Sequence, residues 1–315
     1  MLNLFLFAVL CLSWGSTWVA IKVGVDEAPP LWFAGSRFVV AGVLILSLAA
    51  LIDGRGSLKV NRRDAAQLAW VSALVIAVCF ALIFWGEQYV SASLTAIVVQ
   101  GMIPIFLPLF SVILLRDRLP AAKILSIGIG IAGLVIVFLP SVRASLSAGG
   151  AGRGNLLTLA GLTAIVIGTL SYCYGSVQSK PILARHSAVA VSGWQNVIGG
   201  VLVLAAALMF EAGAAEIGAE VSGLSARVFY AWLWLVVVGS VVGFVLYIVL
   251  LKSWGASKLS PYAFVTPIVA IGIEYLLYGR LINRSEAAGM AALFIAVYLA
   301  LRNPDSARIK KKQND

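Results

Sequence analysis

Two ionisable side chains, Glu274 and Arg37, lie inside long apolar stretches of this sequence. A charged group among apolar residues is costly, and it usually recognises a substrate charge or carries a proton. We therefore interpret both residues as candidates for coupling or charge recognition. Two structural alternatives stay open. Glu274 could pair with Arg280 or Arg37, and the long Arg37 side chain could snorkel to the outer surface of the membrane that the chain spans.

Polar and aromatic side chains recur at helical spacing in the apolar stretches. Tyr262 and Thr266, and likewise Tyr174 and Gln178, are separated by about one helical turn, so each pair shares a helix face. Aromatic rings at membrane depth can hold an apolar or cationic solute by stacking and cation–π contacts. The pattern predicts a substrate-binding site made of Trp14, Thr17, Trp18, Gln100, Tyr174, Gln178, Tyr262 and Thr266.

Pro104 and Pro267 each interrupt an apolar stretch, at corresponding places in the two halves of the chain. A proline removes one backbone donor and displaces the carbonyl one turn earlier, which would free the carbonyls of Gln100 and Ala263. In a membrane, a free carbonyl needs a donor or a wet cavity. We predict that the two prolines are hinges beside the site. The alternative is that they only bend their helices for packing.

Residues that commonly form metal, redox or nucleotide sites are scarce. The three cysteines lie singly in apolar stretches, and the one histidine, His186, lies in a short connection. Neither pattern is typical of a metal site or a disulfide. The GxGxxG spacing at 128–133 lies inside an apolar stretch, which indicates helix packing and not nucleotide binding. We expect no metal, no cofactor and no catalytic residue, and thus a protein that is not an enzyme.

The composition indicates that lipid surrounds the elements that carry these residues. Hydrophobic residues make up 61% of the chain and charged residues 11%, whereas a soluble domain has roughly 25% charged residues. A membrane-spanning helix needs about 20 mostly apolar residues. The sequence predicts an all-α integral membrane protein with ten transmembrane helices, at residues 2–25, 31–52, 65–85, 93–115, 121–139, 156–179, 189–210, 229–251, 259–278 and 285–301.

The positive charges indicate how the chain is oriented in the membrane. Lys and Arg are concentrated in alternate connections, at 55–63, 116–123, 180–185, 252–258 and 302–312. Such connections stay on the cytoplasmic side. Both termini are therefore predicted to be cytoplasmic, in a cell inner membrane, with residues 304–315 as a basic tail. Topology also explains the net charge of +10, so we expect the lipid bilayer and no nucleic acid as a partner.

Weak internal similarity divides the chain into two halves. Sliding the second half along the first places Gln195 on Arg37 and Gly200 on Gly42. Each half would contain five spans. Because five is odd, the second half must enter the membrane from the opposite side, which gives inverted repeats as in many secondary transporters. The predicted repeats are residues 1–142 and 143–303.

Several short motifs, in their order and spacing, resemble the EamA-type family of the drug/metabolite transporter superfamily. They are Trp-Gly-Ser-Thr at 14–17, Lys22, Ala-Gly-Ser-Arg-Phe at 34–38 and the segment 257–267. The resemblance implies ten helices in inverted repeats and the transport of metabolites, commonly amino acids. It also implies a central cavity that the fifth and tenth helices do not line. The family often has an acid directly at the end of the ninth span, whereas Glu274 of this chain lies deeper.

These observations lead to one functional hypothesis and one alternative. We expect a secondary active transporter, an exporter or exchanger, that moves small polar metabolites such as amino acids by alternating access. Proton coupling and a homodimer, in contact through the fifth and tenth spans, are further hypotheses. The sequence has no phosphate-binding GxxxxGK[ST] loop, so we do not expect the chain to use ATP by itself. The alternative is a passive channel or facilitator for small solutes.

Overall fold

The computed structural model describes residues 2–115, 121–147, 153–211, 222–259 and 262–301. Within these ranges the secondary structure is helical, and no strand is present. The predicted basic tail, 304–315, lies outside the described residues. The long helices of the described part are α1 Leu2–Val25, α2 Pro30–Ile52, α3 Arg62–Glu87, α4 Ala92–Leu115, α5 Ala121–Ser147, α6 Arg153–Gln178, α7 Ala188–Phe210, α8 with its consecutive segments Ala226–Trp234, Leu235–Val242 and Gly243–Leu259, α9 Tyr262–Tyr278 and α10 Arg284–Leu301.

Seven of these helices, α1 to α4 and α6 to α8, are long and apolar enough to cross a membrane. α9 is also apolar but has 17 residues. Large apolar side chains such as Leu51, Phe210 and Leu276 are exposed on the outside, as expected for a surface that lipid covers. The described chain is therefore an all-helical membrane protein. The count of ten spans stays a prediction.

Local sequence sets several helix ends. Asn61, Ser187 and Ser225 precede α3, α7 and α8, and each side chain accepts a hydrogen bond from a backbone N–H of the first turn. This satisfies a donor that a helix otherwise leaves unpaired. Pro30 begins α2, where its missing N–H costs nothing. Gly279 follows α9 with a φ of 65°, a conformation that favours glycine at a helix end.

Both α3 and α8 contain a π-helical segment, at Ala73–Val78 and Leu235–Val242. In α8 the Ser240 hydroxyl donates to the Leu235 carbonyl at 3.0 Å. π-Helical turns are rare and occur frequently at functional sites. The third helix of each predicted half thus carries the same irregularity, which the sequence pattern does not predict.

Corresponding helices of the predicted halves pack against each other, beginning with α2 and α7. These two approach closely at glycines. A Cβ on Gly35 would lie 3.0 Å from the Gly200 carbonyl oxygen, and a Cβ on Gly42 would lie 2.9 Å from that of Gly193. Because the later position in α2 meets the earlier position in α7, the two helices run antiparallel.

α4 and α9 form a second pair with the same relation. The Ser93 backbone N–H donates to the Glu274 carboxylate, and the Gln100 amide donates to the Thr266 hydroxyl. The earlier residue of α4 therefore meets the later residue of α9. These helices are also antiparallel.

α5 and α10 form the third pair. A Cβ on Gly130 would lie 3.5 Å from Cβ of Ala296, and a Cβ on Gly133 would lie 3.1 Å from Cβ of Ala292. The order of contacts is again antiparallel. Both glycines belong to the GxGxxG spacing, so this spacing contributes to close helix packing.

Candidate functional site: a central cavity

A cavity of about 410 Å³ lies among the helices. Its wall comes from α1 to α4 and α6 to α9, and no described residue of α5 or α10 contributes to it. The two π-helical segments contribute Val75, Ile76, Gly239 and Ser240. A cavity of this volume is large enough for a small molecule. Helices of both predicted halves therefore surround one site.

The cavity wall contains six of the residues predicted from the sequence: Trp14, Thr17, Trp18, Arg37, Gln100 and Tyr262. The first three lie on α1. The Thr17 hydroxyl donates to the Trp14 carbonyl at 2.6 Å, and the Trp14 indole N–H donates to the Gly239 carbonyl at 3.2 Å. The second bond joins the aromatic face of α1 to the π-helical segment of α8.

Three rings of the wall form an aromatic cluster made of Trp14, Tyr247 and Tyr262. The Trp14 ring centroid lies 5.4 Å from that of Tyr247 and 5.1 Å from that of Tyr262, and the tyrosine centroids are 6.1 Å apart. Such separations are normal for packed aromatic rings. The aromatic cluster offers the cavity ring surface without formal charge.

Arg37 of α2 also lies in the wall, and it is only 6% exposed. Its guanidinium carbon lies 4.0 Å from the Phe38 ring centroid, 5.3 Å from that of Phe84 and 5.6 Å from that of Phe80. The alternative in which the Arg37 side chain snorkels to the outer surface of the membrane is therefore wrong. Contacts with three aromatic rings hold the guanidinium among the helices. No carboxylate of the described residues pairs with Arg37, and its Nε–H has no hydrogen-bond partner.

Gln100 connects the cavity wall to α9. Its side-chain amide donates to the Thr266 hydroxyl at 2.8 Å, and Thr266 is fully buried behind the wall. Pro104 follows Gln100 by one turn, and Pro267 is adjacent to Thr266. The bond therefore joins α4 and α9 near both prolines. Neither proline lines the cavity, and their role as hinges stays a prediction.

Tyr174 and Gln178 of α6 do not line the cavity, to which α6 contributes Thr169 and Tyr172. Each residue of an α-helix turns by about 100°, so position 174 points about 200° away from position 172. The Tyr174 ring centroid lies 5.7 Å from that of Phe110, and its hydroxyl accepts a hydrogen bond from Gln178 at 3.1 Å. The one-turn spacing does bring the two side chains together, but on the face toward α4.

Glu274 of α9 is buried and lies outside the cavity wall. Its carboxylate accepts the Ser93 backbone N–H at 3.0 Å and lies 3.4 Å from Nη1 of Arg280. The Arg280 guanidinium also pairs with Glu286 at 2.8 Å. The structure thus contains the Arg280 pair that the sequence left open as the structural alternative. A coupling role for Glu274 stays a prediction.

Further wall residues are not predicted from the sequence, among them Tyr172, Gln195, Asn196, Ser240 and Tyr247. One of them, Gln195, has a signal in the sequence, because it aligns with Arg37 when the sequence of the second half is placed along that of the first. The adjacent amides of Gln195 and Asn196 in an apolar stretch are a second signal. Ser240 and Tyr247 have no comparable signal in the sequence. A serine hydroxyl in a membrane helix is often bonded to its own backbone, as that of Ser240 is.

A second buried acid, Glu87, lies at the end of α3. It is fully buried, and neither carboxylate oxygen has a hydrogen-bond partner within the described residues. The Lys22 ammonium donates to the Glu87 backbone carbonyl at 2.9 Å and pairs with Asp26 at 2.8 Å. The sequence gives no reason to select Glu87, because an acid at the end of a span is typical of the membrane surface.

The fold and the cavity define a class, namely helical membrane proteins that enclose a cavity between their helices. Residues 1–139 and 159–302 match the EamA-like transporter family. The chain therefore belongs to this family, as the resemblance implied.

Relatives in several organisms cover most of the chain. It is 30% identical over 295 residues to the inner membrane transporter YedA of Escherichia coli strain K12, covering 93% of this chain and 88% of YedA. It is 24% identical over 296 residues to the protein PagO of Salmonella typhimurium, covering 94% and 91% of the two chains. A crystal structure with 17% identity matches the fold with a TM-score of 0.60, covering 95% of this chain and 96% of the other.

Proposed function

We propose that this protein is a secondary active transporter, an exporter or exchanger, of small polar metabolites such as amino acids in a cell inner membrane. The observation that carries the proposal is the cavity between the two predicted halves, with aromatic, amide and guanidinium groups in its wall. Family membership supports the transporter class. Alternating access would open this one site to each side of the membrane in turn.

We also propose ten spanning helices in two inverted repeats, 1–142 and 143–303. The antiparallel packing of α2 with α7, α4 with α9 and α5 with α10 supports this arrangement. A further set of contacts is also reciprocal, since α1 packs on α8 and α9 while α6 packs on α3 and α4. The π-helical segments in α3 and α8 add a third correspondence.

Three further parts of the proposal concern orientation, coupling and assembly. Both termini are cytoplasmic, because the Lys- and Arg-rich connections then lie inside. A proton moves with or against the substrate through Glu274, while Pro104 and Pro267 act as hinges. α5 and α10 leave apolar side chains such as Val135 and Ile295 exposed, and this surface would form the contact of a homodimer.

A bulky side chain in the cavity tests the proposal. Ile103 lines the cavity, whereas Ile113 of the same helix is 61% exposed. Ile103→Trp should fill the site and lower transport at least about tenfold, equivalent to ~1.4 kcal/mol, while Ile113→Trp should transport normally. The measurement is uptake of a panel of radiolabelled amino acids and organic acids into liposomes that contain purified protein, with and without a pH gradient.

Equal uptake by the two tryptophan variants would move the transport path away from this cavity. Uptake of no solute by the unsubstituted protein would contradict the transport function itself. Single-channel currents in planar bilayers would favour the channel alternative, because a transporter that alternates between states has no continuous pore.

A further inference from the structure

We infer that the transported solute carries a carboxylate, which binds between Arg37 and Trp18 in the cavity. The inference rests on the proposed transport function and adds the chemical class of the substrate. It is based on two buried donors without acceptors, on the charge of the cavity wall and on the position of the aromatic cluster.

The first observation is the unpaired guanidinium of Arg37. The side chain is 94% buried and lies in the cavity wall, yet no carboxylate of the described residues pairs with it. A buried charge without a counter-charge destabilises a protein by several kcal/mol. Contacts with Phe38, Phe80 and Phe84 offset part of this cost, but they accept no N–H hydrogen bond at Nε. A bound anion would supply both the charge and the acceptor.

The second observation is the indole of Trp18, which lies in the same wall. Its Nε1–H is buried and has no acceptor within the described residues. A buried polar group without a partner costs about 1–3 kcal/mol, and buried tryptophans usually have one. Arg37 and Trp18 are thus two residues of one cavity wall that each have a buried N–H group without an acceptor. A carboxylate has two oxygens that accept such donors.

The charge of the wall limits the anion to one negative charge. Arg37 is the single charged residue among the described residues of the wall. A monocarboxylate would make the site neutral, whereas a phosphate dianion would leave an unpaired negative charge in a place with low dielectric. An amine would meet like charge. The wall therefore favours a monocarboxylate.

The aromatic cluster determines what the rest of the solute looks like. Trp14, Tyr247 and Tyr262 form uncharged ring surface in the wall. The side-chain amides of Gln100 and Asn196 each donate one hydrogen bond, to the Thr266 hydroxyl and to the Ser192 carbonyl. The ring surface suits an apolar or aromatic body, and the ring faces would also tolerate an ammonium group. The expected substrate is a carboxylate with such a body.

Binding of matched compounds to the purified protein tests the inference. Phenylacetate, phenylacetamide, 2-phenylethylamine and phenyl phosphate share a ring and differ in charge, and 4-methylpentanoate with its amide and amine repeats the comparison on an aliphatic body. Charged hydrogen bonds contribute about 1.5–3 kcal/mol. We therefore expect at least one of the two acids to bind about tenfold more tightly than its amide and amine. Sodium chloride added to a chloride-free sulfate buffer, which contains no carboxylate, serves as the inorganic-anion arm.

Substitutions assign that preference to Arg37. Arg37→Gln should weaken acid binding at least about tenfold with little change for the amide, and Arg37→Lys should keep part of the preference. Trp18→Phe should weaken acid binding less. Arg227→Gln is the matched control, because it removes an exposed arginine that contacts Tyr278 outside the cavity. Retained amide binding by Arg37→Gln shows that this variant is folded. If neither Arg37→Gln nor the unsubstituted protein binds the amide measurably, equal unfolding temperatures of the two show that the variant is folded.

The inference is overturned if neither acid binds, if the amide, amine or phosphate binds more tightly, or if the preference survives in Arg37→Gln. Competition by chloride at the same concentration as the acid would make the site an inorganic-anion site. The transport function is judged separately by Ile103→Trp. Transport that is blocked by Ile103→Trp but involves only amines or neutral solutes would leave the function intact and contradict the carboxylate.

Discussion

Charged residues of this chain are arranged in two different ways. Arg37 lies alone in the cavity wall, whereas Arg280 lies between two buried carboxylates, those of Glu274 and Glu286. One guanidinium beside two carboxylates leaves one negative charge in excess. Arg280 lies closer to Glu286, at 2.8 Å, than to Glu274, at 3.4 Å. Glu274 is the acid that we propose for the coupling step.

Glu274→Gln tests this assignment. If Glu274 carries the coupling proton, the variant should lose the response of transport to an imposed pH gradient and should bind substrate within about twofold of the unsubstituted protein, a change of ~0.4 kcal/mol. The measurement is uptake into liposomes at two internal pH values, together with binding of the same solute. An unchanged response would remove Glu274 from the coupling step.

Glu87→Gln is the matched comparison for this experiment. Glu87 is fully buried, whereas about a third of the Arg280 side chain is exposed and gives the Glu274 cluster access to the surface. We therefore expect Glu87→Gln to keep the response to the pH gradient. Loss of the response in this variant alone would transfer the coupling role to Glu87.

The residue patterns predict part of the site, because helical spacing correctly identifies side chains that are neighbours on one helix. One-turn spacing places Tyr174 beside Gln178, and their hydrogen bond of 3.1 Å is present. Spacing does not report which neighbouring helix a face meets, and this pair faces α4. The orientation of Arg37 is also set by the rings of Phe80 and Phe84 on α3. Contacts between helices therefore decide which predicted residues reach the cavity.

At the level of helices, the π-helical segment of α8 determines how α1 lines the cavity. Trp14 donates to the Gly239 carbonyl, and an added Cβ on Gly243 would overlap Nε1 of Trp14. A glycine is therefore required where the indole crosses α8. The stretch 229–251 is predicted correctly as helical, but no residue pattern in it indicates the wider π turn. That turn depends on packing and not on local propensity.

Gly243→Ala tests the contact between α1 and α8. The new methyl group must displace the Trp14 ring, and a clash of this kind costs about 1–3 kcal/mol. We expect transport to fall roughly tenfold while the protein still inserts into the membrane. Gly272→Ala is the control, because an added Cβ there meets nothing within 4 Å. Equal transport rates of the two variants in liposomes would show that the position of Trp14 is not critical.

At the level of the whole molecule, the relation between the halves decides whether the cavity can open to both sides. Corresponding helices pack antiparallel in three pairs, α2 with α7, α4 with α9 and α5 with α10. A duplication that kept its orientation would place equivalent helices parallel. The connections after α2 and after α7 are therefore expected on opposite sides of the membrane.

Single cysteines in these two connections test the inversion. Gly56 and Gly223 are exposed, and an added Cβ on Gly56 meets nothing within 4 Å. The native cysteines, Cys11, Cys79 and Cys173, are buried, so the unsubstituted protein should react little with a membrane-impermeant maleimide.

In intact cells the reagent should label Gly223→Cys. It should label Gly56→Cys only after the membrane is permeabilised, because the Lys- and Arg-rich connection at 55–63 is expected inside. Labelling of both variants from the same side would exclude inverted repeats, and the reverse pattern would keep the inversion but place the termini outside.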